Sequence, residues 1–245
     1  MREFGLIGKS LSHSFSKFYF DSKFEKLQLK DCSYSLFELN QIEDLDALLR
    51  KHKSLQGLNV TIPYKEQAIS FTTELSETAK HINAINTLQF KGDKIIGHNT
   101  DVIGFKESLK PFLAYHHQRA LVFGSGGASK AICYVLEQLS IPYYLVSRAA
   151  KESNQVITYN ELDKKALASF QILINTTPLG MYPQENEMPS VDLSMIGEKH
   201  LVFDLIYNPK ETKLLKEAKK RGALCVNGLS MLKLQAEASW KIWNA

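Results

Sequence analysis

Lys65 and Asp101 each close a short polar run, Asn59-Val60-Thr61-Ile62-Pro63-Tyr64-Lys65 and Asn99-Thr100-Asp101. Both runs precede a glycine-rich segment, Val122-Phe123-Gly124-Ser125-Gly126-Gly127-Ala128-Ser129. A lysine and a carboxylate can hold and pass a proton between them. A glycine-rich loop that opens a helix can hold the phosphates of a dinucleotide that passes a hydride. Together these residue types imply an oxidoreductase acting on a small polar molecule.

Neutral polar residues accompany the ionisable pair. Asn59, Thr61, Asn86, Thr87, Asn99 and Thr100 supply donors and acceptors suited to a hydroxylated substrate. Near the N-terminus, Ser12, His13, Ser14 and Ser16 form a further cluster where a carboxylate can bind. Plainer roles stand beside these: a cap or turn for each serine, a loop carbonyl partner for His13, and a solvated surface position for Lys65.

The glycine loop follows a predicted strand and opens a predicted helix. Gly124 allows the tight turn, and Gly126 leaves room for pyrophosphate beside the backbone. Helix-start N–H groups can then hold the anion, and Ser129 takes the third fingerprint position, small enough for close helix–sheet packing. An ordinary strand-to-helix turn is the alternative. A carboxylate that selects NAD is expected about 20 residues past such a loop, at the end of the next strand. That strand ends Leu145-Val146-Ser147-Arg148, with no acid. Ser147, Arg148 and Lys151 instead suit a 2′-phosphate. Arg148 can alternatively stack on adenine, or belong to a solvated basic loop.

Elements able to position these groups follow from the hydrophobic pattern. Glu3 to Gly8, Ser33 to Phe37 and Leu55 to Val60 read as strands. Helical segments lie between them, one up to Phe24 and one with Ile42, Leu45, Leu48 and Leu49 at helical spacing. Ile85 to Phe90 and Lys94 to His98 flank Lys91-Gly92-Asp93, a hairpin signal, so the first sheet should be mixed. A helix is predicted from Val102 to Phe112. Strands then recur at Ala120 to Phe123, Tyr143 to Val146, Ile172 to Ile174, Leu201 to Leu205 and Ala223 to Val226. Between them, Ala128, Ala131, Ile132, Val135, Leu136 and Leu139 share one helix face. Thr212 to Arg221 reads as a helix ending at Gly222, and Met231 to Trp243 as the last helix. The expectation is an α/β protein of two domains. Residues 1–101 with 231–245 form a mixed-sheet substrate domain, and residues 102–230 a doubly wound, Rossmann-type nucleotide domain. The chain order places a cleft between the domains as the expected site.

The 245 residues suffice for one large domain or two modest ones, and 44% hydrophobic with 23% charged residues is ordinary for a folded protein. The net charge of +4, from 30 basic and 26 acidic residues, is too small and dispersed to indicate nucleic acid. Cys32, Cys133 and Cys225 are isolated and read as buried free thiols of a reducing compartment. No signal-peptide pattern or apolar run of membrane-spanning length is evident, so a cytoplasmic protein is expected. No Cys or His cluster has metal-ligand spacing, and no metal is expected.

Ordered motifs from Gly5 to Trp243 resemble those of the shikimate dehydrogenase family. Gly8-Lys9-Ser10-Leu11-Ser12-His13-Ser14-Phe15-Ser16 resembles the family's G-x-P-I-x-H-S-x-S-P segment. Asn59 to Lys65 resembles N-V-T-x-P-x-K, Ala84-Ile85-Asn86-Thr87 resembles A-x-N-T, and Asn99-Thr100-Asp101 resembles N-T-D. In the second half, Ser147-Arg148-Ala149 aligns with N-R-T, and Asn175-Thr176-Thr177-Pro178-Leu179-Gly180-Met181 resembles N-x-T-x-x-G-M. Asp204 and Tyr207-Asn208-Pro209 resemble D-x-x-Y-x-P. Asn227-Gly228-Leu229-Ser230-Met231-Leu232-Lys233-Leu234-Gln235-Ala236 resembles N-G-x-x-M-L-x-x-Q-A.

The resemblance implies reversible, NADP-dependent reduction of 3-dehydroshikimate to shikimate. Lys65 and Asp101 are the implied catalytic pair. The implied substrate contacts are Ser14 and Ser16 at the carboxylate, with Asn59, Thr61, Asn86, Tyr207 and Gln235 completing the pocket. Implied cofactor contacts are Gly124, Ser125, Gly126, Gly127, Ala128, Ser147, Arg148, Asn175, Thr176, Thr177, Met181 and Gly228. The protein is expected as a monomer or homodimer without nucleic-acid or membrane partners. Departures are Ser10 and Lys17 where the family has proline, and Ser147 and Ala149 beside Arg148. The alternatives are a quinate/shikimate dehydrogenase of relaxed substrate or cofactor choice, and a non-catalytic nucleotide-responsive protein, against which retention of both Lys65 and Asp101 argues.

Overall fold

Alternating strands and helices bury an apolar cluster in the second half of the chain and two in the first half together with the C-terminal residues, among the described residues. The computed structural model describes residues 1–12, 14–149 and 155–245, so His13 and Lys151 lie outside the described residues. The chain divides into two compact units, Met1–Thr100 with Gln235–Ala245, and Asp101–Leu234.

The first unit contains β1 (Arg2–Gly8), α1 (Phe15–Lys26), β2 (Cys32–Glu38), α2 (Asp44–Lys51), β3 (Leu55–Val60), β4 (Glu74–Leu75), α3 (Glu77–Ile82), β5 (Thr87–Lys91) and β6 (Lys94–His98). Its six-stranded sheet runs β2-β1-β3-β5-β6-β4. β1 pairs in parallel with β2 and β3, whereas β5 pairs antiparallel with β3 and β6, giving the expected mixed sheet. The run of apolar residues in β1 reflects its central place, and Phe4 and Ile7 are fully buried. Phe20 and Phe24 lie four residues apart on one face of α1 and pack with Phe4, Tyr34 and Trp243 in one aromatic core cluster.

The second unit opens with α4 (Asp101–Leu109) and continues through β7 (Ala120–Phe123), α5 (Gly127–Gln138), β8 (Tyr143–Ser147), β9 (Val156–Thr158), α6 (Lys164–Ala168), β10 (Ile172–Asn175), β11 (Leu201–Asp204), α7 (Lys213–Lys219) and β12 (Leu224–Asn227). The sheet order is β12-β11-β10-β7-β8-β9, with every pairing parallel. Sequence order reverses between β7 and β10, which creates the switch point of a doubly wound sheet. All four residues of β7 and the first three of β10 and of β11 are fully buried, as a sheet covered on both faces requires. The last helix, α8 (Leu229–Trp243), is divided between the units after Leu234.

Several boundaries differ from the sequence reading for local reasons. The helix predicted to Phe112 ends at Leu109 and tightens into a 3-10 turn over Lys110–Phe112, where Pro111 cannot supply the helical N–H. Thr212 is the N-cap of α7 rather than a helical residue; its side chain accepts from the Leu215 N–H. β4, α3, β9 and α6 are too short to leave a periodic signal. Cys133 is buried as expected, but Cys32 and Cys225 are only half-buried. Among the described residues, no helix is long and apolar enough to cross a membrane.

The Trp243 indole donates to the Leu88 carbonyl at 3.0 Å and packs against Gly57. A Cβ on Gly57 would stand 2.0 Å from the indole Nε1. Gly57→Ala should therefore displace Trp243 and lower stability by about 1–3 kcal/mol, the usual cost of overpacking. Urea unfolding of the two proteins checks this, and equal midpoints would contradict it.

Candidate active site

The predicted residues gather in two clusters, one in each unit. In the first, Ser14 stands in extended backbone as the N-cap of α1, and its Oγ accepts from the Ser16 N–H at 3.3 Å. The loop before it is held by the buried side chain of Leu11 and by the Leu11 N–H, which donates to Glu38 at 2.7 Å. Lys17, in the place of a family proline, donates from Nζ to the Tyr34 carbonyl at 3.0 Å and pairs with Asp21 at 2.9 Å. The serine segment is thus tied to β2 by a side chain rather than stiffened by a ring.

Thr61 and Lys65 occupy one turn after β3. The Thr61 N–H donates to Ile7, and the Thr61 carbonyl accepts from Tyr64. The buried Tyr64 hydroxyl reaches the Leu39 carbonyl at 2.7 Å, and the Lys65 carbonyl accepts from the Ile85 N–H at 2.7 Å. That last bond joins the lysine turn to the segment carrying Asn86.

Asn86, only 2% exposed, is the centre of a polar network. Its Oδ1 accepts from the Thr100 N–H at 2.7 Å, and its Nδ2 donates to Gln235 Oε1 at 2.8 Å. Asn59 donates from Nδ2 to the Asn86 carbonyl, Thr87 Oγ1 and Ser239 Oγ, and accepts at Oδ1 from the Tyr34 hydroxyl at 2.9 Å. Its amide is therefore engaged by protein partners at both ends. Asn99 likewise bonds inward, to the Ala84 carbonyl. Ser239, fully buried, also hydrogen-bonds Thr87, Thr100 and the Gln235 carbonyl. Ser239 and Tyr34 had no place among the predicted residues: a lone serine in a helix and a tyrosine in a strand carry no signal of their own.

The second cluster lies at the carboxyl ends of parallel strands, where ligands bind in open α/β sheets. Gly124 has φ +106°, and a Cβ there would meet Thr176 Oγ1 at 2.7 Å. Gly126 is exposed, and a Cβ there would meet nothing within 4 Å. Open space thus faces the first turn of α5, whose N–H groups, beginning with those of Gly127 and Ala128, have no partner within the helix. Ser125 is half-buried in the loop, and Ser129 is buried, its hydroxyl donating to the Gly126 carbonyl at 2.7 Å. Ser147 ends β8 and Arg148 follows it, exposed. These residues fit a dinucleotide carrying a further phosphate: an open glycine cradle at a 12-residue helix and an exposed guanidinium at the next strand end.

Behind the cradle, Thr176 donates from its hydroxyl to the Phe123 carbonyl at 2.7 Å, tying the end of β10 to the glycine loop. Asn175 is fully buried, donating to Asp204 at 3.0 Å and accepting from the Thr177 N–H and hydroxyl, so it braces the loop from inside. Gly228 has a structural reason as well, since a Cβ there would lie 1.9 Å from the Leu205 carbonyl oxygen. Met181 is 42% exposed beyond the buried Gly180. Tyr207 is half-buried just past the Asp204 turn, and Asp101 is buried at the start of α4.

Asp204 had a motif match but no assigned role. Its carboxylate, fully buried, accepts from Thr212 at 2.7 Å, the Ile206 N–H at 3.1 Å and Asn175 at 3.0 Å. Burial pushes its pKa up to about 6, although bonds from Thr212, Ile206 and Asn175 oppose the rise. Among the described residues no group of three or more His, Cys, Asp or Glu side chains could hold a metal ion.

The fold and the two clusters define a two-domain α/β protein with a dinucleotide-type sheet and a polar, ligand-scale cluster on a mixed sheet. Residues 6–88 match the family model described as the shikimate dehydrogenase substrate binding domain. The chain is 38% identical to the shikimate dehydrogenase (NADP(+)) of Methanococcus maripaludis over 98% of this chain and 90% of that one. Among solved structures, shikimate dehydrogenase from Aquifex aeolicus superposes with a TM-score of 0.89 at 33% identity, covering 100% of this chain and 92% of the other. The Thermus thermophilus enzyme, solved in complex with NADP(H) and shikimate, gives 0.88 at 27% identity over 99% and 93%. The chain belongs to the shikimate dehydrogenase family.

The folded Asp204 carboxyl keeps its proton to a higher pH than the unfolded one, whose ordinary value is 3.8. It therefore contributes stability that is complete below about pH 4 and lost as pH rises through about 6. Asp204→Asn should remove a pH-dependent component on the order of 2–3 kcal/mol from the unfolding free energy across that window. Urea titrations from pH 4 to 6.5 measure it, and identical pH slopes in both proteins would contradict it.

Proposed function

We propose that this protein catalyses the reversible, NADPH-dependent reduction of 3-dehydroshikimate to shikimate. One observation carries the reading: the chain aligns over 98% of its length with a shikimate dehydrogenase (NADP(+)), while Lys65, Asp101 and the glycine loop all stand at their motif positions.

In this reading Ser14 and Ser16 donate to the ring carboxylate, with Thr61 beside them. Asn86 and Gln235 face the hydroxyl-bearing side, and Tyr207 approaches the substrate from its loop. Lys65 donates to the ketone oxygen, stabilises the charge that develops there and delivers a proton, which Asp101 orients and exchanges. Gly124, Ser125, Gly126, Gly127 and Ala128 would hold the pyrophosphate of NADPH. Ser147 and Arg148 would hold its adenosine phosphate, while Thr176, Thr177, Met181 and Gly228 would shape the cofactor side. When bound, NADPH supplies the hydride. Asn175 acts through Thr177 rather than by direct contact. A cytoplasmic setting accords with three unpaired cysteines.

Parallel assays with dehydroshikimate, shikimate and quinate against NADP(H) and NAD(H) test the reading. Turnover of dehydroshikimate with NADPH is expected, and its absence in folded protein would refute the assignment. Lys65→Ala should lower kcat by ~10²-fold or more, the usual scale of positioned acid–base help. A folded variant with near-wild-type turnover would remove Lys65 from the chemistry.

Arg148→Ala should raise KM for NADPH more than KM for NADH, because only NADPH carries the extra phosphate. Equal effects on the two cofactors would show that Arg148 stacks or supports its loop instead.

A further inference from the structure

We propose that Tyr34 and Asn59 are positioning residues, an internal brace that holds the Asn86 backbone and the α8 turn carrying Gln235 in place without touching the ring substrate. The inference rests on the substrate reading given above.

The orientation of each amide follows from partners that can play only one role. A backbone N–H only donates, so the Thr100 N–H fixes Oδ1 of Asn86 toward itself, leaving Nδ2 for Gln235 Oε1. Gln235 thereby keeps its Nε2 as a donor for an oxygen of the ligand. A backbone carbonyl only accepts, so the Asn86 carbonyl fixes Nδ2 of Asn59 toward itself. Oδ1 of Asn59 must then accept, and the Tyr34 hydroxyl supplies the proton at 2.9 Å.

Tyr34 has no freedom to abandon that bond. Its ring is 1% exposed and stacks on Phe20 with centroids 4.4 Å apart, while Lys17 holds its carbonyl. The Ser16 side chain is a second hydrogen-bonding neighbour of the phenol. Tyr34 therefore connects the serine end of the cluster with the amide end. Beyond Asn59 the brace continues through Ser239, whose hydroxyl donates to the Gln235 carbonyl one turn earlier in α8. Without the phenol hydroxyl, Oδ1 of Asn59 loses its donor. The side chain is then anchored only through Nδ2, which loosens its hold on the Asn86 backbone and, through Ser239, on the helix that carries Gln235.

Tyr34→Phe removes one oxygen and keeps the ring. In the full-length protein it should raise KM for dehydroshikimate about fivefold to tenfold, the scale of one lost internal hydrogen bond. The kcat should stay within about twofold, and KM for NADPH should not move, because a brace loosens the substrate pocket and leaves the chemistry and the cofactor unit alone. In a Gln235→Ala background the Tyr34→Phe effect should largely vanish, since the residue it aims is gone. A merely structural tyrosine would lower the melting temperature without this split and would act equally in both backgrounds. Should Tyr34→Phe fail to fold, Ser239→Ala cuts the same brace at its helix end and should give the same split. An unmoved KM, or a shikimate complex with Asn59 or Tyr34 bonded to the ring substrate, would overturn the brace. Wild-type protein inert toward dehydroshikimate would instead overturn the functional reading and the brace with it.

Discussion

A buried amide destabilises a fold unless each of its donors and acceptors finds a partner, and the first unit is arranged around meeting that condition at Asn86. An unmet group there costs about 1–3 kcal/mol. The amide's partners come from three places, the following strand through Thr87, the segment before α4 through Thr100, and α8 through Gln235, while Asn59 on the lysine-turn strand donates to the Asn86 backbone carbonyl and to Ser239 of α8. Satisfying one residue thus sets the position of the others. α8 must lie where Ser239 reaches Thr87, and that placement brings Trp243 against Gly57 and Phe4. The aromatic core supplies the burial that holds the helix down, and the polar network sets its rotation and register. Burial alone is non-directional and would tolerate a slide along the sheet.

The second unit meets a harder version of the same condition, because its central buried group can carry charge. Asp204 gathers Thr212, the Ile206 N–H and Asn175, which belong to the start of α7, the turn after β11 and the end of β10. Each bond shapes a loop at the carboxyl edge of the sheet. Asn175 passes the constraint to Thr177, and Thr176 passes a parallel one to the glycine loop through Phe123. The rise in the Asp204 pKa is the cost of holding a carboxylate in that place, and rigidity of the edge is what it secures.

Departures from the family's pattern keep the geometry by other means. A proline after Ser16 would stiffen the start of α1 through its fixed φ. Lys17 instead reaches back to the Tyr34 carbonyl and forward to Asp21. Beside Arg148, the family's Asn and Thr are Ser147 and Ala149.

By itself, the sequence determined the two-unit α/β architecture, the mixed and parallel sheets, the bounds of β3 and the glycine loop at a strand-to-helix turn. These are legible because they rest on local periodicity and on residues whose backbone preferences are intrinsic, as at Gly124 with its positive φ. It also showed which residue types are present for chemistry, from Lys65 and Asp101 to Arg148. It did not show that the motif amides bond inward. The side chains of Asn59, Asn86 and Asn175 are all taken up by protein partners. Nor did it give a role to Tyr34, Ser239 or Asp204. Those assignments depend on which atoms meet across 180 residues, as for Asn59 and Ser239, or 149, as for Asn86 and Gln235. Hydrogen bonding is short-ranged and directional, so only the folded chain decides which donor meets which acceptor.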